Sequence, residues 1–424
     1  MSFFNIVNKF GYGSSLLVGI SIFLSEKLEN NVALPLIAVL FAIQMLLKIN
    51  RENFFKLLDK KIGLGIIIFS VLPVIISIID GGIKSRGDNY NLKYLYFFPL
   101  IYFLDNYKKI INFLKSLLLS AIISMIVTVG IFIKNYETWA HPKGFEYPRI
   151  YFVLPVQDFA NLMCIVFLFL LSFIFFYKNN NKKKLLYVRI FLIAISLLNL
   201  FVLLVNRSKM VYVSLIPAIL YILYKKNKKY ILTFLFLCTS GYFILPKLIT
   251  ERLKYIIFFK KDPSSNLRLI FWDAGFHAFL RSPLLGWRNM DRKSFNLDYY
   301  KKTGVLDYVT KNYGFTLLKS YINSHNAYLQ FLLDYGILGF LSFMFLFVII
   351  IPVKLFKMNF YSLENESKYF PIEVSLKSVF IAWFIQGMTE INLSNRPIVI
   401  FTVIFLAIVN YLYKVWSNRK EEEK

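Results

Sequence analysis

Long apolar runs, each separated from the next by a polar segment, occur along nearly the whole chain. A helix that crosses a bilayer needs roughly 20 mostly apolar residues, and about twelve segments come close to that. The predicted spans are 10–25, 32–49, 62–79, 92–104, 110–133, 152–177, 187–205, 210–224, 230–249, 326–353, 373–391 and 397–416. The pattern predicts an all-α, polytopic integral membrane protein.

Basic residues in the connections predict how these spans are oriented. The segments "KINRENFFKLLDKK", "DNYKK", "YKNNNKKK", "YKKNKK" and "KLFKMNFYSLENESK" alternate with less basic ones such as "SEKLENN" and "NLSNRP". Short cytoplasmic loops carry an excess of Lys and Arg. With twelve spans, both termini are therefore expected in the cytoplasm.

One connection is far longer than the others. No spanning run occurs between about Pro246 and Ser324, and the orientation places this segment outside. In it, "NLRLIFWDAGFHAFL" has apolar residues at helical spacing, and "RSPLLGW" should end that helix. The expected organisation is nine spans in 1–249, an outer loop in 250–324, three spans in 325–416 and a cytoplasmic tail in 417–424.

Composition agrees with a membrane protein. The chain is 57% hydrophobic and only 17% charged, whereas about a quarter of a soluble chain is charged. The net charge of +26 would favour nucleic acid in a soluble protein, but here the lysines follow the positive-inside pattern. We therefore expect membrane lipids and no nucleic acid as partners. Cys164 and Cys238 both lie in apolar runs, which argues against a disulfide framework or a cysteine metal site.

Two basic residues occupy a very short outer turn, "LLVNRSKMVYVSLIP". Arg207 and Lys209 lie between two apolar runs, where a charge is costly unless it faces water, a headgroup or a ligand. The structural alternative is an interfacial side chain whose stem lies along apolar surface while its charge reaches water.

Arg268 lies near the start of the predicted loop helix, in "SSNLRLIFWDAGFHAFLRSPLLGW". The residues "SSN" are plausible N-caps for that helix. A solvated loop arginine is the structural alternative, and Asp273 could then be its ion-pair partner along the helix.

His325 lies where the long loop returns to the membrane, in "NSHNAYLQ". Histidine titrates near neutral pH and is the commonest general base. Ser324 or Asn326 could cap the following helix, and Asn326 could also hold the histidine or bind substrate. The structural alternative is a polar residue that simply begins a helix at the interface.

Further polar residues map to the same outer side. Arg149 precedes the sixth span, and Glu390 and Arg396 bracket the last outer turn. His141 and His277 are interpreted as structural or solvent-facing. Arginine suits bidentate phosphate recognition, so the set favours a phosphate-bearing lipid as ligand. The predicted outer side has no D-x-D pair that would indicate a bound metal, and no cofactor motif is present.

Three motifs in order resemble the O-antigen ligase and polymerase family of bacterial membrane glycosyltransferases. They are "NRSKM", then "NLRLIFWDAGFHAFLRSPLLGW", then "SHNAYLQFLLDYGILGF". The family has an arginine at a short outer turn, a loop helix with a second arginine, and an "HN" pair that opens the next span. The motif resemblance covers about residues 206–339, and "PLLGW" lacks a second glycine that many members have.

The resemblance implies a GT-C-like fold of about twelve spans with a large helical periplasmic loop between spans 9 and 10. It implies an undecaprenyl-pyrophosphate-linked glycan as donor and lipid A-core or a lipid-linked glycan as acceptor, at the periplasmic face of the inner membrane, without a metal. Arg207 and Arg268 match the arginines that hold the pyrophosphate, and His325 matches the catalytic histidine. Arg149, Lys209, Asn326 and Arg396 are the further candidates for substrate binding.

Several functions remain open. An O-antigen ligase is favoured over an O-antigen or capsule repeat-unit polymerase because "TEINLSNRP" resembles the last outer turn of ligases. A lipid-linked glycan transporter would carry ionisable groups near the bilayer midplane, and Asp158 and Asp334 keep that alternative open. A subunit without catalysis is a further alternative.

Overall fold

The computed structural model describes residues 3–79, 88–141, 149–258, 262–287, 292–313, 324–362, 368–390, 393 and 396–422. These residues are overwhelmingly helical, and no strand occurs among them. The predicted all-α class is therefore confirmed for the described part of the chain.

Among the described residues up to Phe176 there are ten α-helices. They are α1 (Phe3–Leu24), α2 (Glu26–Leu28), α3 (Leu34–Gln44), α4 (Lys48–Leu57), α5 (Lys60–Ile79), α6 (Asp88–Leu92), α7 (Phe97–Phe103), α8 (Tyr107–Lys134), α9 (Tyr136–Ala140) and α10 (Val156–Phe176). A π-helical turn, Glu29–Ala33, joins α2 to α3, and a 3₁₀ turn, Lys93–Tyr96, joins α6 to α7.

Eleven α-helices follow in the described residues after Phe176. They are α11 (Lys182–Asn206), α12 (Lys209–Lys226), α13 (Lys229–Ile244), α14 (Lys247–Ile257), α15 (Pro263–Arg281), α16 (Arg292–Lys302), α17 (Val305–Tyr313), α18 (Ala327–Phe343), α19 (Ile351–Lys357), α20 (Phe370–Gln386) and α21 (Arg396–Glu422). A π-helical segment, Met344–Ile350, makes α18 and α19 continuous, and Phe360–Ser362 is a 3₁₀ turn.

Seven helical segments among the described residues are long and apolar enough to cross a membrane, so the chain is a polytopic integral membrane protein. They are α1, α5, α8, α10, α11, the continuous α18–α19 unit and α21. Five other predicted spans fall on shorter or bent helices. The α2–α3 unit meets α4 at a bend of 118°, α6–α7 is interrupted, and α12, α13 and α20 have 18, 16 and 17 residues. The count of twelve stays a prediction.

The α10 helix lies at the centre of the bundle and packs against α11, α12 and α20. Both α10 and α20 are buried along most of their length. Polar contacts tie this centre together: Gln386 of α20 donates to Ser214 of α12 at 3.0 Å. Without a hydrophobic driving force between helices in lipid, small and polar residues of this kind hold such interfaces together.

In the described residues, the long connection between α13 and α18 folds into helices α14 to α17, as the sequence predicts, and the "PLLGW" segment after α15 packs into α18. The α15 helix ends at Arg281, and Gly286 follows with φ +81°. The α18 helix is broken at Gly336, where φ is 62° and ψ is −165°. The backbone N–H of Trp287 donates to Leu333 O at 2.6 Å, and the N–H of Ile337 donates to Pro283 O at 2.8 Å. The backbone groups released by the break are therefore partly satisfied by the "PLLGW" segment.

The break fixes α15 against α18, and the two helices carry different candidate residues. Arg268 lies on α15, while His325 directly precedes the cap of α18. Along its length α15 also packs on α18. The geometry between the arginine and the histidine therefore depends on this contact.

Candidate active site

Arg268 is held by a buried carboxylate from a distant part of the chain. Its Nη2 donates to Glu390 Oε1 at 2.9 Å, and the two side chains are 16% and 5% exposed. Glu390 lies in the turn after α20, 122 positions along the chain from Arg268. Asp273, suggested by the sequence as the helical partner, instead accepts a hydrogen bond from the Tyr299 hydroxyl at 2.6 Å. The sequence singled out Glu390 only as an outer-turn residue.

Glu390 is surrounded by both signs of charge. Burial raises its pKa to about 7, Arg268 and Arg149 act to lower it, and Asp158 acts to raise it further. Asp158 is itself buried, in the first turn of α10. The desolvation cost of the buried carboxylate therefore outweighs two nearby arginines. Arg149, Asp158, Arg268 and Glu390 form one electrostatic cluster, which we call the charge cluster.

His325 lies beside the charge cluster on a tightly held loop. Its ring stacks near that of Phe271 on α15, with 6.3 Å between centroids. The carbonyl oxygen of the Asn326 side chain caps α18 by accepting from Tyr328 N and Leu329 N, so that predicted cap is confirmed. The backbone N–H of Ser324 donates to Gln330 Oε1 at 2.9 Å, which fixes the loop from the other side.

The environment of His325 favours the neutral imidazole. Burial lowers its pKa to about 4, and the positive charge of Arg268 contributes in the same direction. Both causes disfavour the imidazolium. The ring is therefore unprotonated at neutral pH, as a general base must be.

Two of the predicted catalytic residues have a backbone conformation that is uncommon outside glycine. In the described residues, positive φ angles at non-glycine positions occur at Val153, Arg207 and His325, with φ of 58°, 58° and 49°. Such residues persist where surrounding structure over-determines them, and they cluster at functional sites.

Arg207 is fully buried at the end of α11, where it packs on Trp139. Its guanidinium carbon lies 3.8 Å from the centroid of the Trp139 ring, and Nη2 donates to the Trp139 carbonyl at 2.8 Å. The indole Nε1 donates in turn to Val205 O at 2.9 Å. The sequence did not single out Trp139, because the contact joins residues 68 positions apart.

An open cavity of about 290 Å³ is bordered by Trp139, which covers Arg207, and by Arg149 of the charge cluster. Trp139 and Arg149 both line it, together with Asn135 and Tyr151. Arg149 thus lines this cavity and also acts on Glu390. The surroundings of Arg207 and those of Arg268 are therefore contiguous through Trp139 and Arg149.

Lys209 connects α12 to the start of α15. Its ammonium is hydrogen-bonded to the buried carboxylate of Asp262 and lies 3.3 Å from Ser265 Oγ. Asp262 is the N-cap of α15, and its carboxylate accepts from Ser265 N at 2.7 Å. Burial alone would raise the Asp262 pKa, but the hydrogen bonds from Lys209 and Ser265 hold it below its usual value.

This cap corrects the prediction that "SSN" provides the N-cap of the loop helix. The helix starts at Pro263, so these three residues lie within its first turn. Proline suits the first helical position because its missing N–H would have no partner there. Asp262, just before the proline, therefore takes the capping position.

The sequence also singled out Arg396, His141 and His277. The backbone of Arg396 begins α21, but its side chain lies outside the described residues. His141 and His277 are exposed, as predicted, with side chains 78% and 47% accessible. In the described part of the chain, no group of three or more His, Cys, Asp or Glu side chains is placed to hold a metal ion.

The fold and these contacts define a helical, polytopic membrane protein in which Arg268 pairs with a buried carboxylate and acts electrostatically on His325. A family model described as O-antigen ligase matches residues 194–344 of the chain. That segment contains Arg207, Lys209, Arg268, His325 and Asn326. The resemblance to the O-antigen ligase family is thus confirmed, and this segment carries the family's domain. A search of curated proteins finds no match.

Proposed function

We propose that the protein is an O-antigen ligase, a membrane glycosyltransferase that moves a glycan from undecaprenyl pyrophosphate to a sugar hydroxyl of lipid A-core. The observation that carries the proposal is a half-buried His325 that stacks near Phe271 of α15 and feels the charge of Arg268 on the same helix, all inside the matched segment. The proposed setting is the periplasmic face of the inner membrane, in a GT-C-like fold of about twelve spans with both termini cytoplasmic. The reaction proposed here uses no metal.

The donor pyrophosphate is proposed to bind Arg268 in place of Glu390. The ion pair holds the guanidinium in position at 2.9 Å from the carboxylate. Because the Glu390 pKa is raised to about 7, the carboxyl is readily protonated near neutral pH. Protonation weakens its hold on Arg268, and the phosphates then become the stronger partner.

Arg149 and Arg207 are proposed to bind the donor at the cavity that Trp139 and Arg149 line. Arg149 is partly exposed there, whereas Arg207 is covered by Trp139. Direct contact between Arg207 and a phosphate therefore requires Trp139 to shift. Without that shift, Arg207 still contributes positive potential within a site of low dielectric. Lys209 and Asn326 are proposed to act mainly through position, since both groups hold helix caps.

His325 is proposed to remove the proton from the acceptor hydroxyl. The acceptor oxygen then attacks the anomeric carbon of the donor sugar and forms the new glycosidic bond. The bond from that carbon to the pyrophosphate oxygen breaks, and the lipid pyrophosphate leaves with the electron pair. The arginines stabilise the negative charge that develops on the leaving group.

Donor binding should strengthen this base. Part of the lowering of the His325 pKa comes from the charge of Arg268. An anionic donor on Arg268 offsets that charge and so raises the histidine pKa toward its ordinary value. A base of higher pKa accepts the proton more readily.

The test is transfer by the purified chain from a labelled, undecaprenyl-pyrophosphate-linked glycan, with rough lipopolysaccharide as acceptor. Label on lipid A-core supports the ligase. Label on longer lipid-linked chains, formed without lipopolysaccharide, identifies a polymerase instead. Movement of the labelled lipid across the bilayer without any new glycosidic bond identifies a transporter.

A further inference from the structure

A second cavity lies within the bundle, at the end opposite the charge cluster. It has a volume of about 500 Å³ and is lined by α8, α10, α11, α20 and α21. That volume lies within the range of about 300–1,000 Å³ that is typical of ligand pockets. The start of α8, the end of α10 and the start of α11 form its polar end. The charge cluster, by contrast, lies near the start of α10.

This cavity is partly open, and we call it the groove. Its walls are apolar and aromatic. Leu118 of α8, Phe169 and Phe173 of α10, and Phe405 and Ile408 of α21 are among the residues that line it. These positions belong to helices that are long and apolar enough to span the membrane. The groove therefore offers a hydrocarbon chain a surface inside the bundle.

The polar end carries two tyrosines and two exposed lysines. Tyr107 and Tyr177 line the groove where α8 begins and α10 ends, and Lys115 and Lys184 are also among its lining residues. Tyrosine and lysine near the ends of spanning helices are typical of the membrane interface, where the apolar part of the side chain contacts lipid and its polar tip contacts water. Two ammonium groups at the mouth of an apolar groove are complementary to an anionic lipid headgroup.

The length of the groove favours a lipid of a single leaflet. It extends along α10 from Ile165 to Tyr177, which corresponds to about 18 Å at ~1.5 Å per helical residue. One leaflet contributes about 15 Å of a hydrocarbon core that is ~30 Å thick. The acyl chain of an ordinary glycerophospholipid fits this length, whereas an undecaprenyl chain is far longer.

We propose that this groove is a binding site for an anionic glycerophospholipid, with an acyl chain between α8, α10 and α21 and the headgroup phosphate on Lys115 and Lys184. The occupied groove would fill the space between α8 and α10, which otherwise make few direct contacts. The site is distinct from the charge cluster and does not depend on the function proposed above.

The test uses the full chain in phosphatidylcholine nanodiscs and a phosphatidylglycerol that carries a photoactivatable group on its acyl chain. We expect crosslinks in the α8, α10 and α21 peptides that line the groove, competed by unlabelled phosphatidylglycerol. Lys115→Ala with Lys184→Ala should weaken capture about 25-fold, or about five-fold for each lysine at ~1 kcal/mol.

The matched control is Lys182→Ala with Lys183→Ala, which removes the same charge from the same end of α11. These two lysines are not among the residues that line the groove, so capture should be unchanged. Leu118→Trp, which fills the groove and keeps both lysines, should abolish the crosslink. Equal loss in the two lysine pairs, crosslinks spread evenly over the lipid-facing helices, or stronger competition by undecaprenyl phosphate would each overturn the proposal.

Discussion

Arg268 acts on two residues, His325 and Glu390, whose pKa values burial shifts in opposite directions. The pKa of Glu390 is raised to about 7, and that of His325 is lowered to about 4. In both cases burial favours the neutral form. The sequence identified His325 and Arg268 because each stands out in its own segment. It did not pair Arg268 with Glu390, because that contact depends on how α15 packs against the end of α20.

The first prediction concerns the pH dependence of transfer. Because the pKa of His325 in the free protein is about 4, the histidine stays unprotonated from pH 8 down to about pH 5. We therefore expect kcat/KM to show no loss from histidine protonation near pH 6.5, the ordinary histidine value. The measurement is the initial rate at low donor concentration between pH 5 and 8. A fall with a midpoint near 6.5 that is absent in His325→Gln would contradict it.

The second prediction concerns Glu390 and stability. Its pKa is about 7 in the folded protein, against the ordinary glutamate value of 4.5 that it regains on unfolding. Between these values the folded state keeps a proton that the unfolded state loses, so stability falls as the pH rises. Glu390→Gln should remove this dependence. Relative to the parent chain, the variant should gain about 3 kcal/mol in free energy of unfolding between pH 4.5 and above pH 7.

The measurement for Glu390→Gln is denaturant unfolding in detergent at several pH values. A difference between variant and parent that does not change with pH would show that Glu390 titrates normally. Glu137 is exposed, on α9. Glu137→Gln is therefore the matched control and should leave the pH dependence as it is in the parent.

At the scale of elements, two sets of contacts hold α15 on the bundle. The N-terminal end of α15 is tied to α12 through Asp262 and Lys209. Its C-terminal end inserts "PLLGW" into the break of α18. The sequence predicted the helix and its end at "RSPLLGW" from periodicity and from proline and glycine. It did not predict the break in α18, because "DYGILGF" retains an apolar pattern that is compatible with a continuous helix.

The third prediction is that Gly336→Ala disrupts this insertion. A Cβ at Gly336 would lie 2.2 Å from Leu284 O, and the backbone angles there are essentially restricted to glycine. We expect a loss of about 2 kcal/mol or more in the free energy of unfolding, together with loss of transfer. Gly130→Ala in α8 is the control, since nothing lies within 4 Å of a Cβ there. Equal thermal stability of the two variants would contradict the role of the break.

The fourth prediction tests the connection between α12 and α15. Lys209→Ala leaves the buried Asp262 without its lysine, which should cost about 3–5 kcal/mol. Asp262→Asn keeps a capping side chain and removes the charge. The double variant Lys209→Ala, Asp262→Asn should therefore be more stable than Lys209→Ala alone. Additive losses in a double-mutant cycle would show that the two residues do not interact.

At the scale of the whole molecule, the apolar runs predicted the helical membrane class well and the number of spans less well. Seven helical segments among the described residues are long enough by length and composition. The others are short, such as α13 with 16 residues, or bent, such as the α2–α3 unit with α4. Hydropathy measures the length of an apolar run but not where a helix bends or stops. The candidate site shows the same limit. The sequence identifies its histidine and arginines, but it does not predict that α10, α15 and α20 bring Asp158, Arg268 and Glu390 together.

The central claim is that His325 acts as the base in transfer of a lipid-linked glycan, and its most direct test compares two histidine variants. His325→Ala and His277→Ala are inserted, purified and assayed for label transferred from an undecaprenyl-pyrophosphate-linked donor to rough lipopolysaccharide. His277 lies exposed on α15, so its variant should keep the parent rate. We expect His325→Ala to lose about 10²-fold or more in rate, the usual contribution of a general base. Equal transfer by the two variants would contradict the mechanism.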